Sequence, residues 1–86
     1  MIKFQRITTK DATLYNYMEQ LMTASFPSEE YRPLEELRNY TDTKTHFYCN
    51  IILHHDTPVG FITYWDFGHF YYVEHFAIDP SLRNGG

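Results

Sequence analysis

Between His46 and Ile78 the sequence carries three strand-like runs in immediate succession, and no other feature narrows the possible folds as much. In His46 to His54, Phe47, Cys49, Ile51 and Leu53 fall on one face. Val59 to Trp65 alternates again, with Val59, Phe61, Thr63 and Trp65 opposite Gly60, Ile62 and Tyr64. The third run, His69 to Ile78, is dense in aromatics. A period of two residues marks a strand whose faces differ in environment. The connections His55-Asp56-Thr57-Pro58 and Asp66-Phe67-Gly68 carry turn residues, and turns this short join antiparallel neighbours. The spacing therefore predicts a three-strand antiparallel meander, stopped at Asp79-Pro80 because proline cannot continue a ladder.

Upstream, the pattern changes. Ile2, Phe4 and Arg6 alternate with Lys3, Gln5 and Ile7, which reads as a short strand. Thr8-Thr9-Lys10-Asp11 offers side-chain oxygens suited to capping a helix. Leu14, Met18, Leu21 and Met22 then recur at helical spacing, a stripe that belongs in a core, and Pro27 should end this helix near Phe26. Ser28 to Arg32 is a polar, acidic connection. Pro33 suits the first position of a second, shorter helix, with Glu35 and Glu36 in its first turn and Leu34 and Leu37 on its buried side. Thr41 to Thr45 contains no apolar residue and is expected to form a loop. The reading is an α/β (α+β) chain in the order strand, helix, helix, three-strand meander.

Composition excludes several functions. At 86 residues the chain holds one domain at most. Its 43% hydrophobic and 19% aromatic content is too apolar for a disordered segment. A formal charge of -4 provides no basic field for nucleic acid. No apolar run approaches the roughly 18 residues needed to span a bilayer. One cysteine, Cys49, makes no disulfide framework; on the apolar face of its strand it reads as a buried, inert thiol. The expected setting is the cytoplasm. His54-His55-Asp56 invites a metal reading, but no further ligands follow at recognised spacing, so no metal is assigned.

The chemistry is concentrated at the end of the chain. A strand through Tyr72-Val73-Glu74-His75-Phe76-Ala77-Ile78 stops at Asp79-Pro80 and runs into Ser81-Leu82-Arg83-Asn84-Gly85-Gly86, read as a loop. Glycines let successive backbone N–H groups converge on a phosphate, and Arg83 adds positive charge beside them, so the segment suits an anion cradle.

In these residues the chain resembles the GNAT acetyltransferase superfamily. Phe76-Ala77-Ile78-Asp79-Pro80 matches the end of its cofactor-binding strand. Arg83-Asn84-Gly85-Gly86 matches the start of its Arg-x-x-Gly-x-Gly/Ala loop, and Thr57-Pro58-Val59-Gly60-Phe61-Ile62 resembles its turn into the third strand. The order of elements is that of the family's first half, so residues 1–86 are expected to be a single partial GNAT domain lacking the C-terminal half. The resemblance implies an N-acetyltransferase that moves the acetyl group of acetyl-CoA to a primary amine by direct attack in a ternary complex. It implies that Phe76, Ala77 and Ile78 hold the pantetheine arm through main-chain hydrogen bonds. It further implies that the amides of Arg83, Asn84, Gly85 and Gly86 begin the pyrophosphate cradle. The acceptor would be a small-molecule or peptide amine, bordered by the region Phe26 to Arg38.

An amine of pKa about 10.4 must lose a proton before attack. Glu74 is the first candidate base, directly or through water; His75 is the second, since an imidazole ordinarily titrates near about 6.5. Each has a structural alternative, a carboxylate paired to a neighbouring strand and a hydrogen-bonded strand histidine. The aromatic run Phe67, Phe70, Tyr71, Tyr72 and Phe76 either lines an acceptor pocket or packs into the core, and core packing is the favoured expectation. With half the fold missing, the chain alone should bind acetyl-CoA weakly. The open edge of its last strand should favour a homodimer. The competing reading is a non-catalytic, dimerising or ligand-binding remnant of the same fold.

Overall fold

A computed structural model describes residues 1–83 of the chain. Its elements are β1 (Ile2–Arg6), α1 (Ala12–Ser25), a 3₁₀ turn (Ser28–Glu30), α2 (Leu34–Thr43), β2 (Phe47–His54), β3 (Thr57–Asp66), β4 (Tyr71–Ile78) and a single helical turn, α3 (Pro80–Arg83). The four strands form one antiparallel sheet in the order β1-β2-β3-β4, so the expected meander is present and β1 adds to its far edge.

Both helices pack on one face of the sheet. Met18, Leu21 and Met22 of the expected α1 stripe are buried there, joined by Tyr15 and by Leu37 of α2. They meet Ile7, Phe47, Cys49, Ile51, Leu53 and Phe61, and together these residues make up the core. Arg38 ties α2 to α1 through two hydrogen bonds to the Glu19 carboxylate, at 2.8 and 3.0 Å. The Cys49 thiol is buried, and burial pushes its pKa up to about 12, which leaves it protonated and unreactive at neutral pH.

Three expectations change. Thr41, Asp42 and Thr43 are helical, not a loop. The Thr41 and Thr43 hydroxyls donate to the carbonyls of Leu37 and Asn39 four residues back, and Thr41 is buried, so tertiary contact overrides weak helix propensity. Ser81 to Arg83 continue from Pro80 as a helical turn where a loop was expected. Asp79 caps that turn, its carboxylate accepting from the N–H and hydroxyl of Ser81 at 3.0 and 2.8 Å. The third strand starts at Tyr71 and not at His69, because Phe67 to Phe70 form the turn; Gly68 supplies its positive φ of 86°.

The aromatic run is the largest correction. Phe67, Phe70, Tyr71, Tyr72 and Phe76 are all exposed, not core. β4 is an edge strand, and among the described residues no element covers the sheet face opposite the helices. Ile2, Phe4, Ile62, Tyr64, Val73 and Phe76 share that open face by register. Among the described residues no helix is long and apolar enough to cross a membrane.

Candidate active site

β4 differs between its two halves, and the site follows from that difference. In the lower half, Phe76, Ala77 and Ile78 pair with Ile62, Phe61 and Gly60. The Asp79 N–H donates to the Val59 carbonyl at 2.8 Å, which sets the phase of the ladder. Antiparallel pairs alternate between hydrogen-bonded and non-hydrogen-bonded. Ala77 therefore turns its main-chain groups inward to β3, whereas the N–H and C=O of Phe76 and Ile78 point to the free edge. Beside that edge lies a groove of about 570 Å³ lined by Ala24, Ser25, Phe26, Phe76, Ala77, Ile78 and Pro80.

Gly60 makes this arrangement possible. A Cβ there would overlap the Ala77 carbonyl oxygen and lie 2.9 Å from Ile78 Cδ1, so β3 and β4 approach as closely as they do only because residue 60 has no side chain. Tyr17 fixes the strand's exit, its hydroxyl donating to Asp79 Oδ2 at 3.2 Å. The hydrogen bonds from Ser81 and then from Tyr17 hold the Asp79 carboxyl below the usual carboxylate range.

In the upper half the register slips. Thr63 pairs with His75 but Tyr64 pairs with Val73, which leaves Glu74 as the extra residue of a β-bulge. Two consecutive side chains, Glu74 and His75, thereby reach toward the helix layer. The Glu74 side chain is only 10% exposed. It accepts from Trp65 Nε1 at 2.7 Å and from two nitrogens of Arg32, Nε to Oε1 at 3.3 Å and Nη2 to Oε2. Burial alone would raise its pKa; the hydrogen bonds from Arg32 and Trp65 and the charge of Arg32 outweigh that and hold the carboxyl below its ordinary value. His75 packs edge-on against Phe26, and its Nε2 lies 2.7 Å from the Glu30 carbonyl oxygen. A carbonyl only accepts, so Nε2 carries the hydrogen and a neutral ring keeps its lone pair on Nδ1.

These residues border a second groove of about 420 Å³, lined by Glu29 to Pro33, Glu36, Tyr72, Glu74 and His75. The sequence brought Glu74, His75 and the edge residues into one neighbourhood, and the structure sets them in adjacent grooves. It did not single out Arg32, Trp65, Tyr72 or Gly60. For Arg32 a signal was available, because it is the only cation in the acidic stretch Ser28 to Glu36 and sits four residues before Glu36. The expected cradle residues Asn84, Gly85 and Gly86, and the Arg83 side chain, lie outside the described residues. No group of metal-ligating side chains occurs among the described residues, and His54 and His55 occupy an exposed hairpin end.

A family model described as the acetyltransferase (GNAT) family matches residues 12–86. The chain belongs to the GNAT acetyltransferase family. A solved GNAT-family protein from Bacteroides thetaiotaomicron is similar, with 62% identity and a TM-score of 0.95 over 98% of this chain. The GNAT chain described here spans about half of that protein, 48% of its length. A search of curated proteins finds no match. GNAT-family proteins use acetyl-CoA as cosubstrate.

Proposed function

We propose that this chain contributes the acetyl-CoA edge and part of the acceptor site of an N-acetyltransferase. One observation carries the reading: the β-bulge at Glu74 joins a free strand edge, at Phe76 and Ile78, to a polar groove holding Glu74 and His75. Acetyl-CoA supplies the activated acyl group; the acceptor nitrogen forms the new C–N bond as the C–S bond breaks. Phe76 and Ile78 hold the arm through their outward N–H and C=O groups, while Ala77 and Phe26 line its groove. The amides at Arg83, Asn84, Gly85 and Gly86 continue that hold onto the pyrophosphate.

The acceptor amine lies in the groove between the 3₁₀ turn and β4. Glu74 takes its proton directly or through a bridging water, and His75 Nδ1 is the second acceptor. The depressed pKa of Glu74 suits the first task of this groove, keeping an anion ready for an ammonium ion. It also makes the carboxylate a weak base, so only a small fraction of bound ammonium has given up its proton at any moment, and it is that neutral amine which attacks. The acceptor class is a primary amine, on a small molecule or a peptide.

Amide chemical shifts provide the test. Acetyl-CoA is expected to move the Phe76 and Ile78 N–H signals more than that of Ala77, and desulfo-CoA to do the same. If no signal on β4 moves at saturating cosubstrate, the reading is wrong. An acetyl-transfer screen across amine classes then identifies the acceptor.

A second reading is favoured by the free edge of β4, flanked by exposed Val73 and Phe76. In it the chain is a dimerising remnant of the same fold. A homodimer formed through the β4 edge excludes acetyl-CoA from that edge, so sedimentation with and without acetyl-CoA separates the two readings. Dissociation by the cosubstrate supports the enzyme; indifference supports the remnant.

A further inference from the structure

The Arg32 guanidinium occupies the position a substrate ammonium needs. It lies against both oxygens of Glu74 while remaining 31% exposed to the groove, so it is both bound and within reach of an incoming molecule. Glu36 Oε1 lies 3.6 Å from Arg32 Nη1, one helical turn away, and the Tyr40 ring lies 4.6 Å from the guanidinium carbon. Both belong to α2, and the Tyr40 ring also packs edge-on against Phe47 and Trp65 of the sheet. In a single position the guanidinium thus touches both carboxylates, Glu74 closely and Glu36 more loosely, and lies over the Tyr40 ring, which the Lys44 ammonium also approaches at 5.4 Å.

The surroundings of Glu74 define what can replace Arg32. Trp65 Nε1 from β3 holds one lone pair of the carboxylate. His75 lies beside it on β4, with Nε2 committed to Glu30. Tyr72 also faces the groove from β4, Glu36 from α2, and Glu29, Glu30 and Tyr31 from the connecting segment. Of these lining side chains, Arg32 alone carries a fixed positive charge. If it leaves, a carboxylate that is nine-tenths buried keeps the Trp65 hydrogen bond alone, and another cation compensates its charge best.

We propose that Arg32 is a positioning residue that holds Glu74 until an acceptor arrives as its ammonium ion, then yields the carboxylate and moves to Glu36 and Tyr40. The inference rests on the acetyltransferase reading and adds to it a specificity rule: acceptors enter as cations, by exchange with an internal guanidinium. An amine that binds thus comes to lie against the group proposed to take its proton. A neutral amide or alcohol of the same shape cannot displace Arg32.

Trp65 makes the exchange observable. It is the only tryptophan in the chain, and its indole N–H bonds directly to Glu74, so its single indole NMR signal reports the state of that carboxylate. In the 86-residue chain, n-butylammonium is expected to shift this signal saturably and n-butanol to leave it unchanged. Arg32→Ala removes the internal competitor, so butylammonium should bind about tenfold more tightly. Free guanidinium ion should return the indole signal of Arg32→Ala toward its wild-type position and compete with butylammonium, a rescue that a purely structural role would not produce. Equal butylammonium affinity in the two proteins, or an indole signal that ignores guanidinium, overturns the proposal. If Arg32→Ala does not fold, Arg32→Lys serves instead; it keeps the charge, loses the two-point contact, and should give an intermediate gain in affinity, with no gain counting against the idea. Acetyl-CoA binding is read separately at the Phe76 and Ile78 amides, so failure of the acetyltransferase reading and failure of the Arg32 exchange leave different records.

Discussion

The two faces of the sheet are built from the same alternating sequence and have opposite fates. On the helix face, Phe47, Cys49, Ile51, Phe61 and Thr63 are almost wholly buried. On the other, Phe4 is 59% exposed and Phe76 54%, although each is as apolar as its counterparts across the sheet. Alternation states that two faces differ; it does not state which face finds a partner. The contrast also shows where stability resides: two helices and one side of four strands hold the described residues together. The candidate site lies where β4 leaves that core.

The contrast can be broken by mutation. The largest effect is expected from Phe61→Ala, which empties the centre of the helix face and should cost about 3–5 kcal/mol. For a domain of this size that removes most of the folded population, read by urea or thermal unfolding. Gly60→Ala tests the exception to the rule, an open-face position where adding a methyl is harmful. The overlap with Ala77 should cost about 2 kcal/mol and shift the Phe76 and Ile78 amides, marking separation of β4 from β3.

Arg32→Ala tests the polar corner of the helix face. Its partner is nearly buried but Arg32 itself is about a third exposed, so the loss should be about 1–2 kcal/mol. The pH dependence has a definite sign. Because Glu74 has a folded-state pKa below its unfolded value of about 4.3, its contribution is complete above that value and is lost as pH falls through the lower, native one. Arg32→Ala should raise the native value, since burial then acts against fewer opposing contacts, measured on the carboxyl carbon by NMR, and flatten the acid limb of the stability curve. The smallest effect belongs to the open face. Phe4→Thr and Phe76→Thr should change stability by no more than about 0.5 kcal/mol each, while weakening any self-association seen by sedimentation.

Much of the site was legible in the sequence, and the rest was not for physical reasons. Glu74 and His75 were singled out as candidate bases because a carboxylate and an imidazole lie on the strand that resembles the GNAT cofactor-binding strand. Their joint orientation was not readable, because it comes from a bulge, a property of pairing with β3. Arg32 was passed over as part of an acidic connection. Its partner is 42 residues away, and no local period encodes such a contact. The Thr41–Thr43 stretch was read as a loop because hydroxyl residues favour loops when exposed; buried against the sheet, they bond back into the helix.

By itself the sequence determined the order of the four strands and the two longer helices and the strand stop at Asp79-Pro80, since residue period and proline geometry act over a few residues. Tertiary structure decided which face of the sheet is covered, which main-chain groups of β4 remain free, and which cation rests on Glu74. Those outcomes depend on contacts between segments tens of residues apart, and only the packed chain brings them together.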